Sequence, residues 1–164
     1  MAQKILAVHP ERCTGCEKCV LWCSFIKSNV FNPARSRIHV IRSEPYVDVP
    51  MICIQCGLCI DACPIKAISR NPKTNAVVID EEKCTACGRC VTACPYGVLT
   101  LDPVTGKAIK CDLCGGDPEC VKHCPKKVLY YVEPNKAAYL RRLMEYGGAI
   151  SIGRKEPIGP PEKL

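Results

Sequence analysis

Sixteen cysteines dominate the chemistry open to this chain of 164 residues. Cys13, Cys16, Cys19 and Cys23 read C-x2-C-x2-C-x3-C, and the spacing recurs at Cys53, Cys56, Cys59 and Cys63 and at Cys84, Cys87, Cys90 and Cys94. Cys111, Cys114, Cys120 and Cys124 read C-x2-C-x5-C-x3-C, a three-residue expansion of the pattern. Proline follows the last cysteine at Pro64, Pro95 and Pro125, whereas Ser24 takes that place in the first quartet. Three thiolates at steps of three residues can wrap a loop around three corners of one iron–sulfur cube. The fourth then points away toward a neighbouring cluster. The spacing predicts that this fourth cysteine lies on a short helix beginning there, and a following proline fixes φ and turns the chain out of the loop. With four thiolates per cube every iron has its ligand, which suits outer-sphere one-electron transfer rather than substrate binding.

Two other frameworks use dense cysteine. Disulfides need an oxidising compartment, but the start MAQKILAVHPERC lacks the charged and apolar regions of a secretory signal. A cytoplasmic location with reduced thiols is therefore expected. Zinc sites pair two C-x2-C units across a spacer of roughly 12–20 residues to hold one ion, and here each C-x2-C is followed closely by two further cysteines. His9, His39 and His123 show no metal-ligand spacing with one another. His123, directly before Cys124, reads as a surface or hydrogen-bonding residue and not as a ligand.

The elements that must hold these loops are short. Residues 4–8 read as a strand, 19–29 as a helix carrying Trp22 and Phe25, and 37–43 as an alternating strand. Pro45 and Pro50 bracket an extended approach to the second quartet. IKAIS–NPKTN–AVVID and VLTL–DPVTG–KAIK read as hairpins, and 128–132 as a closing strand. Trp22 and Tyr96, beside cluster ligands, read as hydrophobic cover rather than electron relays. In 134–164, NKAAYLRRLMEYGG predicts one helix with a glycine stop, followed by a Pro- and Gly-rich extended tail suited to docking on a partner. The fold class expected is α+β, built from two ferredoxin-like strand–loop–helix–strand modules. No nucleophile–base pair and no phosphate-cradling glycine loop occurs, so a non-catalytic electron carrier is expected.

With sixteen cysteines but only one Trp, six Tyr and two Phe, the apolar core is thin and a metal framework must replace part of it. The net charge of +7 raises the question of an anionic partner. A cube with a core of about 2+ and four thiolates carries about 2−, so four of them offset that excess. Neither a nucleic-acid surface nor a membrane span is expected.

The motifs C-I-Q-C-G-L-C-I-D-A-C-P and C-T-A-C-G-R-C-V-T-A-C-P resemble those of bacterial two-cluster ferredoxins. The expanded K-C-D-L-C-G-G-D-P-E-C-V-K-H-C-P is similar to the last motif of the sixteen-cysteine iron–sulfur subunits of molybdenum and tungsten oxidoreductases. The compact chain most resembles the small electron-transfer subunit of tungsten aldehyde oxidoreductases. The related tungsten enzyme of benzoyl-CoA reduction has a comparable subunit. The resemblance covers about residues 4–133 and implies four [4Fe-4S] clusters in two modules, the second nested inside the first. Residues 1–50 with 101–133 would form the outer module, 51–100 the inner one, and 134–164 a C-terminal helix and tail.

The implied ligand sets are Cys13, Cys16, Cys19 and Cys124 for cluster one, and Cys23, Cys111, Cys114 and Cys120 for cluster two. Cluster three takes Cys53, Cys56, Cys59 and Cys94, and cluster four Cys63, Cys84, Cys87 and Cys90. The implied partner is a large tungsten- or molybdenum-containing catalytic subunit that oxidises aldehydes. A flavin/NAD-linked subunit or a soluble ferredoxin is a further candidate partner, and self-association stays open. A stand-alone or hydrogenase-linked polyferredoxin and a zinc-stabilised interaction module remain as alternatives.

Overall fold

Apolar runs in this chain are only a few residues long, so each strand is short and pairs with a single neighbour. The computed structural model describes residues 3–43 and 47–138. Strand β1 (Ile5–Val8) pairs antiparallel with β8 (Leu129–Val132), Ile5 opposite Val132 and Val8 opposite Leu129. Between them lie three antiparallel pairs: β2 (His39–Ser43) with β3 (Val47–Met51), β4 (Ile68–Arg70) with β5 (Val77–Ile79), and β6 (Thr100–Leu101) with β7 (Ala108–Ile109). The extended approach expected near Pro50 is a paired strand, with Pro50 opposite Val40. In a two-stranded ribbon every strand has a free edge, so a residue without an N–H is tolerated there. Pro45 lies outside the described residues.

Both expected hairpins form, and they close in the same way. Asn71 Oδ1 accepts from the backbone N–H groups of Lys73 (2.9 Å) and Thr74, and Asp102 Oδ1 accepts from Val104 (2.8 Å) and Thr105. Such side-chain-to-backbone bonds are why Asn and Asp initiate turns.

The helices differ in length for one covalent reason. Helix α1 (Lys18–Ser28) runs for 11 residues, whereas α2 (Leu58–Asp61), α3 (Arg89–Thr92) and α4 (Glu119–Lys122) have four each. In the short helices it is the third cysteine of each quartet (Cys59, Cys90, Cys120) that lies in the helix. The fourth (Cys63, Cys94, Cys124) falls just beyond its end, which corrects the sequence expectation. Proline disfavours helical backbone at the residue before it, so Pro64, Pro95 and Pro125 prevent continuation. Ser24 imposes no such restriction, and α1 continues through Cys23. Its Oγ donates to Leu21 O (2.8 Å) and accepts from Asn32 N–H (3.1 Å), tying the loop after α1 back to it.

Two apolar groups form the core. One gathers Leu6, Val20, Ile38, Ala76, Leu113 and Leu129 around Cys19, Cys23 and Cys120. The other gathers Ile68, Val77, Leu99 and Ala108 around Cys59 and Cys90. Helix α1 packs on α4, and α2 on α3. The largest apolar side chains under 2% exposed are Leu113, Val77, Val98 and Val128. At about 1.5–3 kcal/mol each they make a small core, and cysteine occupies much of the remaining interior. Arg35 bridges from the segment after α1 to the β6–β7 turn, its Nε and Nη2 donating to Asp102 Oδ2 at 2.9 and 2.8 Å.

Residues 134–138 are helical, with Ala137 N–H donating to Glu133 O at 2.9 Å. The rest of the expected C-terminal helix and the tail lie outside the described residues. No helix among the described residues is long and apolar enough to cross a membrane.

Candidate metal centres

Four cavities of about 340 to 390 Å3, measured with their open mouths, lie between the loops. The first is lined by Cys13, Cys16, Cys19 and Cys124, and the second by Cys23, Cys111, Cys114 and Cys120, with Cys53 also at its edge. The third is lined by Cys53, Cys56, Cys59 and Cys94, and the fourth by Cys63, Cys84, Cys87 and Cys90. Each cavity thus brings together the first three cysteines of one quartet and the last cysteine of another.

Local backbone geometry turns the thiols inward. Gly57 (φ +96°) and Gly88 (φ +75°) precede α2 and α3 in the left-handed region, which a side chain strongly disfavours. This reversal allows a loop to curl and then enter a helix that carries the third cysteine inward. Backbone N–H groups point at the sulfur of three last cysteines: Arg37 N to Cys23 Sγ (3.4 Å), Ala67 N to Cys63 Sγ (3.3 Å) and Val128 N to Cys124 Sγ (3.2 Å). Such donors stabilise thiolate and tune bound clusters.

The electrostatics follow the same grouping. Burial, reinforced by the charge of Cys124, pushes the Cys19 thiol up to about 12. Burial likewise pushes Cys111 up to about 12, and raises Cys120, where Cys111, Cys23 and Cys114 add to the effect. Cys90 is raised by burial, then by Cys84 and Cys63. Cys59 is also raised by burial, with Lys110 acting against the rise. Thiols packed this way resist ionising unless a positive core takes up their charge, so cluster uptake, proton release and folding are linked.

The donor sets fit an iron–sulfur cube. Four thiols and a largely apolar wall surround each cavity, and one buried polar atom calls for a partner inside. Arg37 lines the second cavity, and its Nη1 is buried with no hydrogen-bond partner among the described residues. Buried donors are seldom left unpaired, and a cluster sulfur at that place would accept from it. When bound, such a cluster supplies one-electron redox chemistry.

Two residues of the site are not apparent from the cysteine pattern. Gln55, in the second-quartet loop, accepts through Oε1 from Val77 N–H (2.9 Å) and Lys110 Nζ (3.0 Å), and donates through Nε2 to Cys111 O (3.0 Å). Lys110, directly before Cys111, is buried. No local pattern marks it: Lys110 lies just beyond β7, whose Ala108 and Ile109 are both buried. Tyr96 lines the third cavity while 42% exposed, whereas Trp22 is partly buried on α1 and lines none of the four cavities.

Comparison with known proteins points the same way. Residues 52–98 match a "4Fe-4S dicluster domain" and residues 10–25 a "4Fe-4S binding domain". The chain is 43% identical over 121 residues to the aliphatic sulfonate oxidoreductase, polyferredoxin-like subunit, of Pyrococcus furiosus, covering 73% of this chain and 70% of that protein. It is 33% identical over 136 residues to the NADH-dependent phenylglyoxylate dehydrogenase subunit beta of Aromatoleum evansii, covering 80% of this chain but 30% of that longer one. Among solved structures, the active site complex BamBC of benzoyl coenzyme A reductase aligns at a TM-score of 0.49 and 26% identity, covering 94% of this chain and 92% of the other.

Proposed function

The chain belongs to the ferredoxin-type 4Fe-4S subunits of oxidoreductases, and on that premise we propose that its four clusters form a linear relay serving a large catalytic partner. It is an electron-transfer polyferredoxin, and its sixteen cysteines match the needs of four [4Fe-4S] clusters. The ligand sets proposed are Cys13, Cys16, Cys19 and Cys124; Cys23, Cys111, Cys114 and Cys120; Cys53, Cys56, Cys59 and Cys94; and Cys63, Cys84, Cys87 and Cys90. The observation that carries this reading is the partition of all sixteen among four cavities. Clusters three and four make an inner module, and clusters one and two an outer module closed by the β1–β8 pair. A zinc module fits less well. Zinc draws its sulfurs to about 2.3 Å, whereas these thiols surround cavities.

Contacts between the proposed sets support an order for the relay. Cys120 of set two and Cys19 of set one lie in one buried core group. Cys53 of set three lines the cavity of set two, and Cys59 and Cys90 of sets three and four share one apolar core. The sequence of hops is one–two–three–four. Cys16, Cys56 and Cys87 are exposed, so three of the cubes have a corner near the surface where electrons can be exchanged.

The partner we infer is a tungsten or molybdenum oxidoreductase, on the resemblance of the expanded fourth motif, and one acting on aldehydes, on that of the compact chain. A second reading, oxidation or reduction of an aliphatic sulfonate, is favoured by the name of the Pyrococcus furiosus relative. Copurification of the tagged chain, metal analysis of the large subunit and turnover with each substrate class decide between them.

Replacing Cys124 with Ala tests the nested pairing. Loss of the cluster held by Cys13, Cys16 and Cys19 supports it. Damage to the cluster held by Cys111, Cys114 and Cys120 means that the motifs pair differently.

A further inference from the structure

The four cavities differ in the charge that surrounds them. No charged residue lines the fourth, and Glu17 and Lys126 line the first. In the second, Lys27 is paired with Asp112 at 2.6 Å, and Arg37 adds a further cation at the wall. Lys110 is the charged residue of the third. It is 5% exposed, and its Nζ donates to three neutral oxygens: Gln55 Oε1 at 3.0 Å, Cys111 O at 2.7 Å and Val77 O. Among the described residues no carboxylate pairs with it. A buried ammonium without a counter-ion is strongly disfavoured, so negative charge must be supplied from elsewhere. Lys110 lies where two proposed clusters can supply it. It lines the cavity of Cys53, Cys56, Cys59 and Cys94, and it is bonded to the backbone of Cys111 in the next set. Each oxidised cluster carries about 2−.

We propose that Lys110 is an electrostatic tuning residue whose fixed positive charge raises the reduction potentials of clusters two and three, making the junction between the modules the place where an electron rests. The inference builds on the ligand sets proposed above. Reduction adds one electron to a cube, taking its core from 2+ to 1+ and its total charge from about 2− to 3−. A nearby cation stabilises the reduced form more than the oxidised one, and burial keeps that attraction from being screened. Gln55 holds the ammonium in place from one module, and Cys111 O holds it from the other. The charge is therefore shared across the crossing point of the relay.

The test is a dithionite titration of the full-length, sixteen-iron protein followed by electron paramagnetic resonance. Lys110→Met removes the charge. Gln55→Glu leaves the lysine in place and sets a carboxylate against its ammonium. Lys110→Arg keeps the charge. In the Met and Glu variants the clusters beside Lys110 should become at least tenfold harder to reduce, 59 mV for a one-electron step, while the others stay unchanged. The Arg variant should leave all four near their native values. A uniform shift of all four, no shift at all, or loss of iron from both Lys110→Met and Gln55→Glu would overturn the proposal. All sixteen cysteines remain intact in these variants, so the outcome is separable from that of the Cys124→Ala experiment.

Discussion

Trp22 and His123 stack face to face, with ring centroids 3.8 Å apart and planes 7° from parallel. Each precedes a cysteine, Cys23 within α1 and Cys124 just beyond α4. The stack therefore joins the segments that place the last cysteines of the first and fourth quartets. Phe25 meets Trp22 edge-on at 5.9 Å and stacks on Phe31 at 4.6 Å, which extends the group to the loop after α1. His123 Nε2 also lies 3.3 Å from Glu119 Oε2. The histidine read from sequence as a surface or hydrogen-bonding residue is partly exposed and faces Glu119, and it also packs on Trp22.

Trp22→Ala should lower stability by about 3 kcal/mol, toward the low end for large aromatic truncations because the ring is only partly buried. Denaturant unfolding of the holoprotein measures this. Visible absorbance should bleach earlier in the variant, because the loosened α1–α4 contact adjoins the cavities proposed for clusters one and two.

Ser24→Ala should cost about 1 kcal/mol by leaving the Asn32 N–H without its acceptor. Ser24→Pro should cost more, about 3 kcal/mol, since a proline ring inside α1 clashes with the preceding turn. Comparison of the two denaturation midpoints checks the order. A proline variant as stable as the alanine one would mean that α1 does not need to continue past Cys23.

Burial raises the carboxyl of Asp102, but the bonds from Arg35 and from the backbone of Val104 and Thr105 outweigh it and hold the group below the usual carboxylate range. Because the folded value is depressed, the stabilisation is fully present above the unfolded value of about 3.9 and is lost only as pH falls through the folded one. A double-mutant cycle with Arg35→Met and Asp102→Asn should therefore give the same coupling, about 1–2 kcal/mol, at pH of roughly 6 and roughly 9. A coupling that changes over that interval would show that another group titrates with the pair.

Gly57→Ala and Gly88→Ala should separate backbone strain from collision. Both residues have positive φ, so both variants incur about 1–2 kcal/mol of left-handed strain. At Gly57 the new Cβ would also lie 2.8 Å from Arg70 Nη2, whereas at Gly88 nothing stands within 4 Å. Arg70 Nη2 donates to Gln55 O at 3.2 Å, so its displacement disturbs the second-quartet loop. Gly57→Ala is expected to be the less stable of the two by thermal unfolding and to lose iron sooner.

The short elements were legible in the chain because their signals are local. Strict cysteine spacing, prolines after three quartets, Asx-Pro turns between apolar runs and alternation in 37–43 each act within about ten residues. The strand at Val47–Met51 was harder to read because Pro50 argues against a strand until the ribbon is seen to be two-stranded. The position of the fourth cysteines departs from the sequence expectation for a related reason. The prolines that mark them also end the helices before them, and only Ser24 lets a helix pass through its cysteine.

Cysteine count and spacing by themselves determined the class of chemistry, since ligand type and loop length are properties of contiguous residues. Tertiary structure alone decided which distant side chains share a cavity and where uncompensated charge is buried. The pairing of β1 with β8 and the stacking of Trp22 on His123 are contacts across more than one hundred residues. Lys110 is one of many lysines in the sequence. It acquires its character only when Gln55, Val77 and Cys111 close around it, because burial and the oxygens that face its ammonium are properties of the folded packing.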